Sequence, residues 1–415
     1  MYIGKLMAMI PFYILWFMSW TLFRKWIGAL EAALFDCLLI GMPSIIHIGS
    51  LIRMYSWGML FTTITGLCIY FILQEEQIRY NKRLWCGLVL GGIAACYTHY
   101  FCCAAVFCIY MSAGIWCIIH DREKIQRLLF SAAIIALAFF PWALVLLGQA
   151  KSVMENYWIP EITWATVLDY MKFYLAPYTN AKILYLPLAV ILTLVVLRCL
   201  VGAFCKGKDG AAVALLVLIM VEVTVIGISA SIALRPIFVA RYAIPASGLF
   251  CLGFSIILGG YLREQDREKV STIAAVLICG MIGAIDVLSF IKNEWRYRSE
   301  GQDLKKNVFN KIQDENRSGS AAIVVTNSSS LQDVFSFFLP DTIVYVEGSE
   351  VSEYYHELAL TDNMEEWNGN VKSSDLWVVN YAAEDSGWME QFDLAGCEAI
   401  HAVSDQIEMV VYHQE

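Results

Sequence analysis

Three short strings hold residues equipped to bind an anion. Arg53 lies in Ile52-Arg53-Met54-Tyr55-Ser56-Trp57, and His99 lies in Tyr97-Thr98-His99-Tyr100-Phe101. Arg235 and Arg241 lie in RPIFVARYAIP, where Tyr242 follows the second arginine. A guanidinium is a planar fork that donates two parallel hydrogen bonds to one phosphate, which makes arginine the side chain suited to that ligand. Each residue also has a plainer reading. A single arginine at a helix end snorkels to the membrane interface. Tyr97, Tyr100 and Trp57 fit an aromatic belt, and His99 fits a satisfied polar group at a helix end. The functional reading rests on the coincidence of three arginines and one histidine on the same, sparsely basic side of the chain's membrane segments.

Those segments follow from composition. The chain has 415 residues, 59% hydrophobic and only 16% charged, with a mean hydropathy of +0.58. A soluble domain carries about a quarter charged residues, so lipid is the expected solvent. Crossing a bilayer core takes about 20 apolar residues per helix, and backbone groups in hydrocarbon are satisfied there only by helices. Apolar runs at 5–23, 30–47, 55–74, 84–98, 102–119, 128–148, 183–203, 211–233, 243–262 and 270–292 predict an all-α polytopic bundle of about ten transmembrane helices. The stretch Leu84–Ile119 suits two short spans broken at Tyr97–Phe101, and Pro141 predicts a kink. Residues 293–415 read as a small α/β soluble domain. Its β-like runs are Ala321–Asn327, Thr342–Glu347, Leu376–Tyr381 and Ile407–His413, and its helix-like runs are Leu331–Leu339, Glu350–Leu358 and Trp388–Leu394.

The connections alternate in charge. Arg24/Lys25, Arg79/Lys82/Arg83, Arg122/Lys124/Arg127, Lys206/Lys208 and Arg263/Arg267/Lys269 fall on one side. Arg53, Lys151, Lys172, Lys182, Arg235 and Arg241 are spread over the other. By the positive-inside rule the first set is cytoplasmic, which puts 293–415 and all three strings on the outer face. Met1 then also starts outside, the start expected if a helix and an outer loop precede this sequence.

Other chemistries lack their signatures. A net charge of −9 argues against a nucleic-acid partner. Of thirteen cysteines, twelve lie in or beside apolar runs, Cys397 is alone in the tail, and no CxxC pair occurs, so neither a disulfide framework nor a zinc site is expected. With no DxD string and no GxxxxGK[ST] string, neither a metal-bound nucleotide-sugar site nor ATP-driven transport is supported.

The strings IRMYSW and YTHYF, followed by RPIFVARYAIP, resemble those of bacterial glycosyltransferase family 39 and the related Rgt-type transferases, within the C-type superfamily of integral-membrane glycosyltransferases. The resemblance covers roughly residues 5–292. It implies a lipid-linked sugar donor, typically a polyprenyl-phosphate monosaccharide, used on the outer face on a glycan, lipid or protein acceptor. A carboxylate in the family's first outer loop deprotonates the acceptor hydroxyl, and basic side chains hold the leaving phosphate. Carried over by position, Arg53 sits near the donor and Arg241 contacts the phosphate. Tyr55, Tyr97, His99 and Tyr242 line the site, with Tyr100 and Arg235 beside them.

Two departures bear on activity. The family's first span and acidic outer loop have no counterpart before Met1, so the catalytic base is expected upstream and the chain as written is expected to have little or no activity. Leu51 also stands where members often have an acid two positions before the arginine. Glu31, Asp36, Glu222 and Asp286 are acids in the apolar region, and intramembrane pairing is their expected role. The aromatic loop from Gln149 to Ala181, with Trp158, Pro160, Trp164, Tyr170, Tyr174 and Pro177, reads either as a re-entrant gate or as a packed outer loop. The reading from a different class is a lipid or polyol transporter or flippase, which would show two related halves. None is visible here.

Overall fold

The computed structural model describes residues 2–42, 51–74, 81–155 and 182–264, short pieces within 44–48 and 159–174, and strands within 323–414. Two compact units divide the chain, Met1–Leu288 and Ser289–Glu415.

The first unit is helical. Among the described residues its longer helices are α1 (Tyr2–Met18), α2 (Ala29–Gly41), α3 (Tyr55–Gln74), α4 (Lys82–Thr98), α5 (Tyr100–His120), α6 (Ile125–Glu155), α7 (Lys182–Cys205), α8 (Lys208–Ala233) and α9 (Ile244–Glu264). A π-helical turn, Ser19–Phe23, carries α1 on into Arg24–Trp26. Among the described residues, six helical segments are long and apolar enough to cross a membrane: Ile3–Trp26, Tyr55–Gln74, Tyr100–His120, Arg122–Leu146, Lys208–Ala233 and Ala240–Arg263. This is a multi-pass membrane protein, and its lipid-facing surface is apolar at Leu90, Phe107, Leu137 and Leu194, each more than half exposed. Pro141 lies inside the continuous helix α6. The run at 270–292, the basic residues Arg79, Arg267, Lys269 and Lys172, and Asp286 lie outside the described residues. So do the loop residues Trp158, Pro160, Trp164 and Pro177 and the tail's three helix-like runs.

Helix α3 shows how the sequence suits this setting. Its 20 residues contain no charge, and its threonines hide their hydroxyls by donating back along the helix. Thr63 donates to the Met59 carbonyl at 2.6 Å and Thr65 to the Phe61 carbonyl at 2.7 Å. Thr62 donates across to the Pro245 carbonyl, tying α3 to the start of α9. Helices in lipid approach closely where residues are small. At Gly58 of α3 a Cβ would meet Cys102 Sγ at 2.6 Å and Pro245 Cγ at 3.3 Å, so the glycine lets α5 and α9 close on α3.

One end of the bundle gathers the described members of the dense basic set. There Gln74 donates to the Asp209 carbonyl, Trp116 to the Lys208 carbonyl and Lys124 to the Leu73 carbonyl. Trp26 meets Phe71 edge to face, and Arg263 pairs with the buried Glu31. The opposite end gathers the starts of α3, α5 and α9 and the end of α4.

The second unit contains a six-stranded sheet of order β3-β2-β1-β4-β6-β5. Its strands are β1 (Ile323–Thr326), β2 (Ile343–Val346), β3 (Met364–Glu366), β4 (Leu376–Tyr381), β5 (Glu398–Ser404) and β6 (Ile407–Gln414). The first four run parallel, while β6 pairs antiparallel with β4 and with β5. Val324, Val325, Val344, Val346, Trp377 and Val378 are fully buried. Consecutive buried residues on β1 and β4 mean that both faces are covered, as central parallel strands require.

Candidate functional site

The run of apolar sequence through α4 and α5 breaks at a single residue, His99. Its backbone is extended (φ −163°, ψ 145°), so it ends one helix and begins the next. Its Nδ1 accepts the Phe101 N–H at 3.1 Å, which satisfies one of the amides that the first turn of a helix leaves open. The ring is thereby fixed against three others. Its centroid lies 5.5 Å from Tyr55, 5.1 Å from Tyr242 and 6.0 Å from Phe101. Burial first, and then the Arg241 guanidinium, push the His99 imidazole down to about 4.

Arg241 and Tyr242 arrive from a segment with no regular secondary structure, and that segment is pinned. Ser231 Oγ, near the end of α8, accepts the Ile237 N–H at 3.1 Å and the Phe238 N–H at 2.9 Å. Tyr170 donates to the Phe238 carbonyl at 3.0 Å, and Tyr174 donates to the Ala240 carbonyl at 2.8 Å. Burial pushes the Tyr174 phenol up, so it stays a protonated donor. Phe238 is buried and seats against Gly227, where any Cβ would run into its ring. A 3-10 turn, Ala240–Ala243, then presents Arg241 and Tyr242 at the start of α9.

There Tyr242 stacks on Phe101 at 5.0 Å and 27°, and faces Tyr55 at 6.3 Å. The Arg241 guanidinium lies 5.7 Å over the Tyr242 ring, a cation–π placement. Arg241 and Arg53 both lie near enough to act electrostatically on the Tyr55 phenol. Arg53 itself is exposed in the bend before α3. Arg53, Tyr55, His99, Arg241 and Tyr242, drawn from three distant strings, therefore meet at one end of the bundle. In a poorly solvated aromatic setting their fixed positive charge acts strongly on any anion that enters.

The remaining expected residues sit differently. Tyr97 donates to the Ala138 carbonyl at 2.7 Å and packs its ring on Phe139 and Trp142 of α6, so the structure does not bring it into the cluster. The reason is helical spacing. Two residues before the break, its side chain leaves α4 on another face than His99. Tyr100 opens α5 and is 38% exposed, and Arg235 is exposed in the segment after α8. Phe101 and Phe238 belong to the cluster, 5.2 Å apart, yet neither was singled out by sequence. The signal available was their position inside the same strings as His99 and Arg241. The acids of the apolar region are held at other places. Glu31 pairs with Arg263, Asp36 lies on α2, and Glu222 accepts Ser112 Oγ at 2.8 and 3.0 Å. Among the described residues no group of three or more His, Cys, Asp or Glu is arranged to hold a metal.

This architecture has solved counterparts. The crystal structure of ArnT from Cupriavidus metallidurans in the apo state matches with a TM-score of 0.56 at 11% identity, over 99% of this chain and 82% of that one. The structure of the same protein bound to undecaprenyl phosphate matches with a TM-score of 0.55 at 12% identity, over 99% of this chain and 83% of that one. The chain therefore shares the fold of ArnT. At this identity the likeness is one of fold. No family model matches the chain, and no curated protein matches it.

Proposed function

We propose that the chain is a membrane glycosyltransferase that uses a polyprenyl-phosphate-linked sugar and works at the end of the bundle where Arg241 lies. The observation that carries this reading is the meeting of Arg241, Tyr242, Tyr55, His99 and Arg53 from three separate strings. It occurs in a fold that, in ArnT, receives undecaprenyl phosphate. Transfer of the sugar leaves negative charge on the departing phosphate. Cations fixed in advance stabilise that charge without reorganising as it develops. Arg241 is the phosphate ligand in this account, and Arg53 is an exposed arm at the entrance. Tyr55 and Tyr242 flank the donor, with Tyr100 and Arg235 at the rim.

In the same reading residues 1–292 form the transferase domain with about ten spans, and residues 293–415 form an extracytoplasmic α/β domain. The end of the bundle rich in lysine and arginine faces the cytoplasm, so the Arg241 cluster faces outward. The acceptor is a hydroxyl of a glycan, lipid or protein.

The test is binding and turnover with the purified chain in lipid nanodiscs. Undecaprenyl phosphate should bind the wild type, and Arg241→Ala should weaken binding by roughly 10-fold or more, the scale of a hydrogen bond to a charged group. Release of labelled sugar from a polyprenyl-phosphate monosaccharide measures turnover separately. Binding that is indifferent to Arg241 would defeat the reading.

A further inference from the structure

The two edges of the His99 imidazole have different duties. Nδ1 accepts the Phe101 N–H, so it carries no proton in this structure. A neutral imidazole has one donor and one acceptor nitrogen, and the proton must then sit on Nε2. The alternative states are disfavoured by the same surroundings. Moving the proton to Nδ1 would turn it toward the Phe101 N–H and break the cap of α5. Adding a second proton would do the same and also set a cation against the Arg241 guanidinium, in a setting where burial already opposes the charge. The ring cannot easily turn over, because Tyr55, Tyr242 and Phe101 surround it.

We propose that His99 is fixed as its neutral Nε2–H tautomer and donates that hydrogen bond to a phosphate oxygen of the lipid-linked ligand held by Arg241. This rests on the function proposed above and assigns His99 a definite part in it. A nitrogen that already carries a proton cannot accept one, so His99 is not the base that activates the acceptor. No proton moves in its step. As the acceptor oxygen bonds to the sugar's anomeric carbon and its hydroxyl proton passes to a carboxylate base, the bond from that carbon to the phosphate oxygen breaks and its electron pair goes to the phosphate. The Nε2–H bond then strengthens along with the Arg241 contact.

The tautomer is read directly by nitrogen NMR of histidine-labelled protein in nanodiscs. The chain has six histidines, and the signals lost on substituting His99 identify its ring. At pH 7 they should show an unprotonated Nδ1 and a protonated Nε2. The reverse tautomer, or an imidazolium, overturns the proposal.

The donor role is tested with undecaprenyl phosphate as the probe and two substitutions that split the ring's functions. His99→Asn places an amide oxygen near the Nδ1 position, which keeps the cap and removes the donor. His99→Gln places an amide N–H near the Nε2 position. We expect His99→Asn to keep the wild-type melting temperature but bind about 10-fold more weakly, and His99→Gln to bind within about 3-fold of wild type. A folded His99→Asn that binds as wild type does would overturn the donor role. If the wild type binds no undecaprenyl phosphate, the function proposed above falls and the donor role falls with it. The nitrogen spectrum still decides the tautomer on its own.

Discussion

A guanidinium suits a phosphate by its chemistry alone, and the fold gives one of three arginines the central place among the aromatic rings. Arg53, Arg235 and Arg241 look alike in the sequence, and only the pinned segment before α9 sets Arg241 among Tyr55, His99 and Tyr242 while Arg53 and Arg235 stay exposed. Replacing Arg241 with lysine should therefore recover only part of the undecaprenyl phosphate binding lost in Arg241→Ala, because a point charge cannot reproduce the fork or its stacking on Tyr242. Isothermal titration across the three proteins checks this order. His99 carries a pH signature of its own. An unfolded histidine takes up a proton near 6.5, whereas the folded ring does so only near 4. Between those values the unfolded chain binds more protons, so His99 contributes stability above about 6.5 that is lost as pH falls toward 4. The groups facing the ring are Arg241, Tyr242, Tyr55 and Phe101, and Arg241 is the charged one among them. The melting temperature of His99→Asn should fall less steeply than that of wild type over this range, and parallel curves would contradict the assignment.

At the scale of elements, the sequence marked where helices break but not what holds the breaks. The string YTHYF interrupts a long apolar run, and His99 is the interrupting residue. The segment Arg235–Val239 has neither helical nor strand periodicity, so nothing in its pattern said that Phe238 turns inward. Its order comes from distant partners, Ser231 and the tyrosines at 170 and 174. Tyr170 and Tyr174 thus hold the backbone that leads into Arg241. Ser231→Ala removes the acceptor of two backbone amides and should cost about 1–3 kcal/mol, while Phe238→Ala should cost about 3–5 kcal/mol. Both should weaken undecaprenyl phosphate binding without touching the ligand, since they loosen the turn that presents Arg241. Thermal melting and binding measured on the same samples check the link. In the sheet, four of six strands were legible as β-branched apolar runs. The strand Met364–Glu366 is too short and acidic to read as one, and Glu398–Ser404 mixes polar and apolar residues without clean alternation.

The whole molecule is a multi-pass membrane protein whose charged and aromatic ends differ, a property set by composition and therefore open to reading from sequence. The helices that pack Lys206 and Lys208 beside α3 and α5 are the reason the basic set lies together. A cysteine-accessibility map should label positions 204–210 only from the cytoplasmic side and positions within 293–415 only from outside. A tail labelled from the cytoplasm would invert the membrane orientation and move the Arg241 cluster to the wrong face. What composition could not show is which strings meet, because α3, the α4–α5 junction and the start of α9 are brought together only by packing, with Gly58 among the contacts that allow it. In the proposed function a polyprenyl phosphate sits with its phosphate at this meeting point. The most direct measurement is photo-crosslinking with a polyprenyl phosphate that carries a diazirine beside the phosphate, followed by peptide mapping. Peptides containing Tyr55, His99 and Arg241–Tyr242 should be labelled, with labelling suppressed by excess undecaprenyl phosphate and lost in Arg241→Ala. Labelling confined to other helices, or labelling at these peptides that undecaprenyl phosphate does not suppress, would contradict it.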